Sequence, residues 1–255
     1  MLWLGSQPSF NKRKVSEIKP YSAEDGKRTQ VERMFDGIAP HYDLLNHLLS
    51  FGIDKGWRSK AINMLADRKP KELLDVATGT ADMALKVYDI LRCKIVGCDI
   101  SQGMVEIGRK KVAEAGLSGF IELKVADSES LPFSSNRFDA VTVAFGVRNF
   151  AHLDKGLAQM ARVLKPSGRI VVLEFSTPGN AIFRAVYNFY FKHILPLVGG
   201  LISRDREAYE YLCKSAMAFP SGKDFEAHLE KAGLTPVKTL PLTFGIATAY
   251  MAVKP

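Results

Sequence analysis

The chain has 255 residues, 47% hydrophobic and 24% charged, which suits one α/β core and excludes a disordered or membrane-embedded chain. Its net charge of +8 fits either an anionic partner or a lysine-rich solvated surface. Cys93, Cys98 and Cys213 form no CxxC pair, which argues against a disulfide framework and a metal site and for a reducing cytoplasm.

The start, MLWLGSQPSFNKRK, places its basic cluster after a four-residue apolar stretch, the reverse of a secretory signal. No uncharged apolar run approaches the ~20 residues of a spanning helix. A cytoplasmic protein is expected, at most attached to the inner face of the membrane. Residues 1–28 are weakly patterned and read as a flexible arm, with one domain over 29–255. Val31, Met34, Phe35 and Ile38 fall at helical spacing, and Pro40 is expected to break that run. Leu44, Leu45, Leu48 and Leu49 form a second short stripe, and Trp57, Ala61, Ile62 and Leu65 a third.

After Pro70 short apolar runs alternate with helical segments. Strands are predicted at Glu72–Thr78, Lys94–Ile100, Ile121–Asp127, Phe138–Phe145 and Arg169–Ser176. Helices are predicted at Ala81–Leu91, Gly103–Ala115 and Leu153–Leu164. Such alternation gives a parallel sheet covered on both faces. Thr235–Thr243 and Gly245–Val253 lie too close in sequence to pair other than antiparallel. Parallel strands closed by an antiparallel hairpin are what is expected of the seven-stranded, Rossmann-like sheet that class I methyltransferases have, and that fold is the expectation here.

The segment LLDVATGTADMA at 73–84 runs from a buried strand into a glycine turn and a helix. Gly79 lets the backbone approach a ligand, Thr80 belongs to the same turn, and the helix start suits a carboxylate. Asp75 is a candidate for the amino group of a bound amino acid. Asp99, twenty positions beyond Gly79 in the next strand, is placed to accept two ribose hydroxyls. The run ATGTAD is neither the dinucleotide fingerprint nor a phosphate loop. S-adenosylmethionine, which has no pyrophosphate, is the expected co-substrate. Asp127 and Ser128 end the third strand, where an acid can bind the adenine amino group; the alternative is a turn before Pro132.

Four further motifs then resemble a family: MFDGIAPHYDLLNHLLSFGIDKGWR at 34–58, NRFDAVTVAFGVRNF at 136–150, RVLKPSGRIVVLEFSTP at 162–178 and LTFGIATAY at 242–250. Over about residues 28–255 the chain resembles the quinone-biosynthesis C-methyltransferases, the demethylmenaquinone enzymes and their ubiquinone-pathway relatives. IKPY, LLSFGIDKGWR and AFPSG resemble the Bacteroidetes demethylmenaquinone enzymes most. The resemblance implies cofactor contacts at Thr80, Asp99, Asp127 and Ser128. It also implies methyl transfer to a ring carbon of a polyprenylated quinol. The family's GTGD reads GTAD here; Ala81 is tolerated if it already begins the helix, whereas a left-handed backbone there would lower affinity. Residues 1–17 extend beyond the family's usual start.

Methyl transfer needs alignment, exclusion of water and a base or cation near the quinol oxygen. Arg148, expected at the fourth strand's end, is a candidate to steady the quinolate, and Asn149 to orient a hydroxyl or water; a surface salt bridge is the alternative for Arg148. Tyr42 is a candidate substrate contact or proton acceptor. His47 is the weaker candidate, because a helical histidine is more often structural. Residues 181–204 hold five aromatics, three cations and no acid. That composition suits a polyprenyl tail and an anionic membrane surface, or else a buried helix pair. Helices over 29–66 and an insertion over 179–220 are expected to form the substrate cover. A nucleic-acid methyltransferase is disfavoured, since AFGVRN stands where amino-methylating enzymes carry N/D-P-P-Y/F. A non-enzymatic binding module is disfavoured by the three acids. Oligomeric state is left open, a homodimer included.

Overall fold

The computed structural model describes residues 15–21, 24–195, 197 and 205–255. Seven strands form one sheet in the order β3-β2-β1-β4-β5-β7-β6. They are β1 (Glu72–Val76), β2 (Lys94–Asp99), β3 (Ile121–Val125), β4 (Phe138–Ala144), β5 (Leu164–Phe175), β6 (Thr235–Leu242) and β7 (Ala247–Val253). The first five are parallel, and β7 runs antiparallel between β5 and β6. The predicted sheet and its terminal hairpin are both present.

Alternation along the strands builds two cores. Leu74, Val76, Val96, Val141 and Val143 face one side, where α5 (Leu153–Val163) and α8 (Lys223–Lys231) cover them with Leu157, Met160, Phe225 and Leu229. Leu73, Ile95, Val171 and Leu173 face the other. There α2 (Ile53–Asn63), α3 (Asp82–Leu91) and α4 (Gln102–Glu114) contribute Trp57, Ile62, Met83, Val87 and Val105. Consecutive residues point to opposite faces, so apolar runs such as LLDV are buried on both sides.

The predicted break at Pro40 is not found. Helix α1 runs unbroken over Lys27–Leu49 with Pro40 inside it. Pro40 lacks an N–H for the carbonyl four residues back, but Pro40, Asp36 and Gly37 are all exposed, so water can serve that carbonyl. Val31, Met34, Ile38 and Ala39 meanwhile bury the opposite face against Met104 of α4 and the helix α7 (Arg206–Ala218). Within the second predicted stripe Leu44 is exposed; the side chains of Leu45, Leu48 and Leu49 lie outside the described residues.

After β5, Asn180 caps α6 (Ala181–Phe189) by accepting from the N–H groups of Ile182 and Phe183, and a π-helical turn over Tyr190–Ile194 continues it. Residues 196 and 198–204 of the aromatic segment, and residues 1–14 of the expected arm, lie outside the described residues. Among the described residues no helix is long and apolar enough to cross a membrane, and the three cysteines are buried and free.

Candidate active site

The strand order reverses between β1 and β4, and a crevice opens there at the carboxyl edge of the sheet, the usual ligand position in an open α/β fold. A cavity of about 690 Å³, counting its open mouth, is lined by Gly79, Asp99, Asp127, Ser128, Phe145, Asn149 and Tyr42, among others. Helix α1 roofs it with Arg28, Val31, Phe35 and Tyr42.

The loop after β1 is tightly wound. Ala77, Gly79 and Ala81 all have positive φ, at 52°, 55° and 69°. The family's glycine position is thus left-handed in this chain, and Ala81 is fully buried immediately before α3. Across the crevice Phe145 leaves β4 at φ 58°. Gly146 follows because a Cβ there would lie 2.5 Å from that of Ala77. Left-handed non-glycine residues cost of order 1–2 kcal/mol each, and two of them, Ala77 and Phe145, line this cavity.

The carboxylates divide by environment. Asp99 accepts from the N–H of Gly79 (2.9 Å) and of Ser101 (2.9 Å), so β2's end is tied to the glycine turn. Burial holds its proton affinity above the usual carboxylate range, against those backbone hydrogen bonds. Asp127 accepts from the N–H of Glu129 (2.8 Å) and pairs with Arg28 (3.3 Å). Asp75 does not reach the cavity. It is fully buried in the sheet and accepts from the hydroxyls of Thr78 (2.6 Å) and Thr142 (2.7 Å); burial pushes its pKa up to about 6. Thr80 also lies off the cavity and donates to Asp43 of α1 (2.5 Å). Lys111 of α4 binds both Asp43 and Asp82, which fastens α1 over α3 and α4. His47 lies between Asp54 (3.2 Å) and Asp82 (3.3 Å) in the same fastening, away from the cavity.

A second cavity, about 1120 Å³ with its mouth, is almost wholly apolar. Trp57, Phe175, Phe183, Tyr187, Phe191 and Leu212 line it together with Arg148. Consecutive residues of the turn Val147–Asn149 line the two cavities, Arg148 the apolar one and Asn149 the polar one. The Phe145 ring lines the polar cavity and packs on Phe175 (4.7 Å between centroids) and Trp57 (6.2 Å), which line the apolar one. Arg148 is no surface ion pair. It is 4% exposed and bonds Glu174 of β5, which is 0% exposed, at 2.7 Å, and also the carbonyl of Phe145 at 2.5 Å.

A model of the ubiE/COQ5 methyltransferase family matches residues 23–254. The chain belongs to the ubiE/COQ5 methyltransferase family. It is 48% identical to the demethylmenaquinone methyltransferase of Bacteroides fragilis, over 93% of this chain and 98% of that one. It is 46% identical to the ubiquinone/menaquinone biosynthesis C-methyltransferase of Geobacter sulfurreducens, over 91% and 90%. A solved S-adenosylmethionine-dependent methyltransferase of Thermotoga maritima superposes with a TM-score of 0.62 at 16% identity, over 88% and 100%. The last comparison speaks for the fold alone. The resemblance read from the motifs and the S-adenosylmethionine-dependent fold both stand.

Several residues of this ubiE/COQ5 site were not singled out from the sequence. Glu174 is legible in hindsight: an acid inside the apolar run VVLEF needs a buried cation, and Arg148 in VAFGVRNF is its counterpart. Lys27 gave no signal. Its ammonium is buried and donates to the carbonyls of Val15 (2.8 Å) and Arg148 (3.0 Å), holding the central turn from α1; burial lowers its pKa to about 8. Tyr211 of α7 donates to Oδ1 of Asn149 (3.2 Å), whose Nδ2 donates to the Phe145 carbonyl (3.4 Å).

Proposed function

We propose that this chain transfers a methyl group from S-adenosylmethionine to a ring carbon of demethylmenaquinol, giving menaquinol. The observation that carries the reading is that two consecutive residues, Asn149 and Arg148, line a polar cavity and an apolar cavity respectively. Demethylmenaquinone is named for the Bacteroides fragilis relative, and the motif resemblance agrees with it.

S-adenosylmethionine supplies an activated methyl group when bound. Asp99, Asp127, Ser128 and the Gly79 backbone hold it in the polar cavity, while Asp75 and Thr80 act one step back, fixing the loop that carries Gly79. Trp57, Phe145 and Phe175 keep water from the reacting groups. The Arg148 guanidinium lowers the proton affinity of a quinol oxygen beside it, which raises electron density on the ring carbon to be methylated. Tyr42 and Asn149 flank the same place from the cofactor side. Helix α1 together with α6 and α7 forms the cover.

The apolar cavity takes the ring and the first isoprene units. At its rim Phe51 (79% exposed), Val186 (64%) and Ile53 (44%) lie open, and Phe183 stacks on exposed Phe244 at 4.2 Å. Exposed apolar residues around an apolar mouth, with Arg184 and Lys192 on the same exposed segment, favour peripheral contact with an anionic membrane from which the polyprenyl quinol enters. Flotation with anionic vesicles is expected to carry the protein, and Arg184→Glu with Lys192→Glu to reduce both flotation and turnover of long-chain substrate. No flotation, with unchanged turnover, contradicts the membrane contact.

The substrate is tested by offering reduced demethylmenaquinone and 2-methoxy-6-polyprenyl-1,4-benzoquinol side by side and weighing the products. Demethylmenaquinol is expected to be methylated preferentially. Methylation of neither removes the reading; preference for the benzoquinol moves it to the ubiquinone branch.

A further inference from the structure

Two buried polar atoms at the apolar cavity have no hydrogen-bond partner among the described residues: Nε of Arg148 and Oη of Tyr187. Both residues line that cavity, and both are nearly inaccessible, at 4% and 3% exposure. Nearby, Nε of Arg58 and Oδ2 of Asp54 also lack a hydrogen bond, but those two face each other as an ion pair at 3.5 Å. Asp75, Asp99 and Thr142 each have a protein partner, and Arg148 itself uses Nη1 twice. A buried donor left without an acceptor costs of order 1–3 kcal/mol, and such groups in folded proteins ask for a reason.

The surroundings supply one. Arg148 Nε–H can only donate, and a tyrosine hydroxyl can donate. The Tyr187 ring is locked against Phe191, with centroids 4.1 Å apart, on the helix that walls the cavity. The remaining lining is aromatic and aliphatic except for Cys213 and for Ser50, whose hydroxyl donates to Asp54 (2.8 Å). A ligand that suits the cavity must therefore be an apolar body carrying a hydrogen-bond acceptor, and a hydroquinone ring with a ring oxygen is such a body. We propose that Tyr187 is a substrate-binding residue, and that its hydroxyl and the Nε–H of Arg148 together receive one oxygen of the quinol ring. The inference rests on the quinol reading above and adds to it the side chain that orients the ring. Two donors on one oxygen stabilise it most when it carries negative charge, so the pair favours the quinolate over the neutral quinol.

The test is Tyr187→Phe, which removes only the hydroxyl. The expected result is a fall of about 10- to 100-fold in kcat/KM for short-chain demethylmenaquinol, the range for a hydrogen bond to a charged group. S-adenosylmethionine affinity should stay within about twofold of wild type, since nothing in the polar cavity changes. The second readout is competitive inhibition by the two monomethyl ethers of the same quinol. Wild type should bind one ether much more weakly than the other, and Y187F should bind them alike. Unchanged kcat/KM, or ether discrimination that survives in Y187F, overturns the inference. If wild type methylates neither quinol tested, the functional reading itself has failed, which is a separate outcome.

Discussion

Replacing Arg148 by Met tests how the central turn is held. Arg148 and Glu174 form a 2.7 Å pair at 4% and 0% exposure. Glu174 also accepts from the N–H of Phe175 (2.9 Å). Removing one partner of a buried pair leaves an uncompensated charge and costs roughly 3–5 kcal/mol. For a chain of this size about 2–4 °C of melting temperature goes with each kcal/mol, so R148M should melt roughly 6–20 °C below wild type at pH 7. The deficit should depend on pH in a stated direction. Burial already raises the Glu174 carboxyl above its usual range, and Arg148 opposes that rise. Without Arg148 the folded-state pKa moves further above the unfolded one. Stability is then present below the unfolded value and lost as pH rises through the folded value. R148M should therefore be closest to wild type at the acid end and fall further behind as pH rises. The double variant R148M/E174Q carries no charge at this pair and keeps an acceptor for the Phe175 N–H, so it should recover at least half of the loss. Thermal melts of wild type, R148M, E174Q and the double variant across pH 5–8 measure this. A loss of under about 2 °C in R148M, or additive losses in the double variant, refutes the reasoning.

Asp75→Asn should bind S-adenosylmethionine like wild type, by calorimetry. Because burial raises Asp75 to about 6, wild type's stability relative to D75N should be highest below about pH 4 and fall by up to about 3 kcal/mol as pH rises past 6. Ala81→Gly relieves a left-handed residue, worth about 1–2 kcal/mol, but loses a buried methyl, about 0.8 kcal/mol, and frees the unfolded chain. Its melting temperature should stay within about 3 °C of wild type, while A81V, β-branched in the same backbone, should fall well below it. Lys27, lowered to about 8, carries a charge penalty below pH 8 that disappears towards the unfolded value near pH 10.5. The stability of wild type relative to K27M, followed by denaturant unfolding, should therefore rise between pH 8 and 10.5 by up to about 3 kcal/mol; a flat difference contradicts the buried ammonium.

The sheet was readable because its strands are continuous apolar runs between glycine turns, and burial on both faces leaves little else for VVLEF or IVGCD to be. Asp99, Asp127, Ser128 and Gly79 could be placed because each ends or follows a strand at the carboxyl edge. Asp75 could not be separated from them by position alone. One residue's difference in register points it into the sheet, where Thr78 and Thr142 meet it. Pro40 misled because helix breaking depends on whether the orphaned carbonyl meets water, a tertiary fact. The apolar cavity was hidden for a similar reason. Trp57, Arg148, Phe175 and Tyr187 come from four separate elements, and no spacing in sequence connects them. Tyr211 and Lys27 act on the turn at Arg148 and Asn149 from far along the chain, and only the folded arrangement brings them to it.

The central claim is methyl transfer to carbon where Asn149 and Arg148 line the two cavities. The most direct measurement uses S-adenosylmethionine with a deuterated methyl group, reduced demethylmenaquinone and purified protein, followed by location of the label in the product. The account predicts deuterium on a methyl group bonded to the quinone ring carbon, abolished or greatly reduced in Asp99→Ala. Label on a quinol oxygen, or no transfer to the quinol at all, would contradict it.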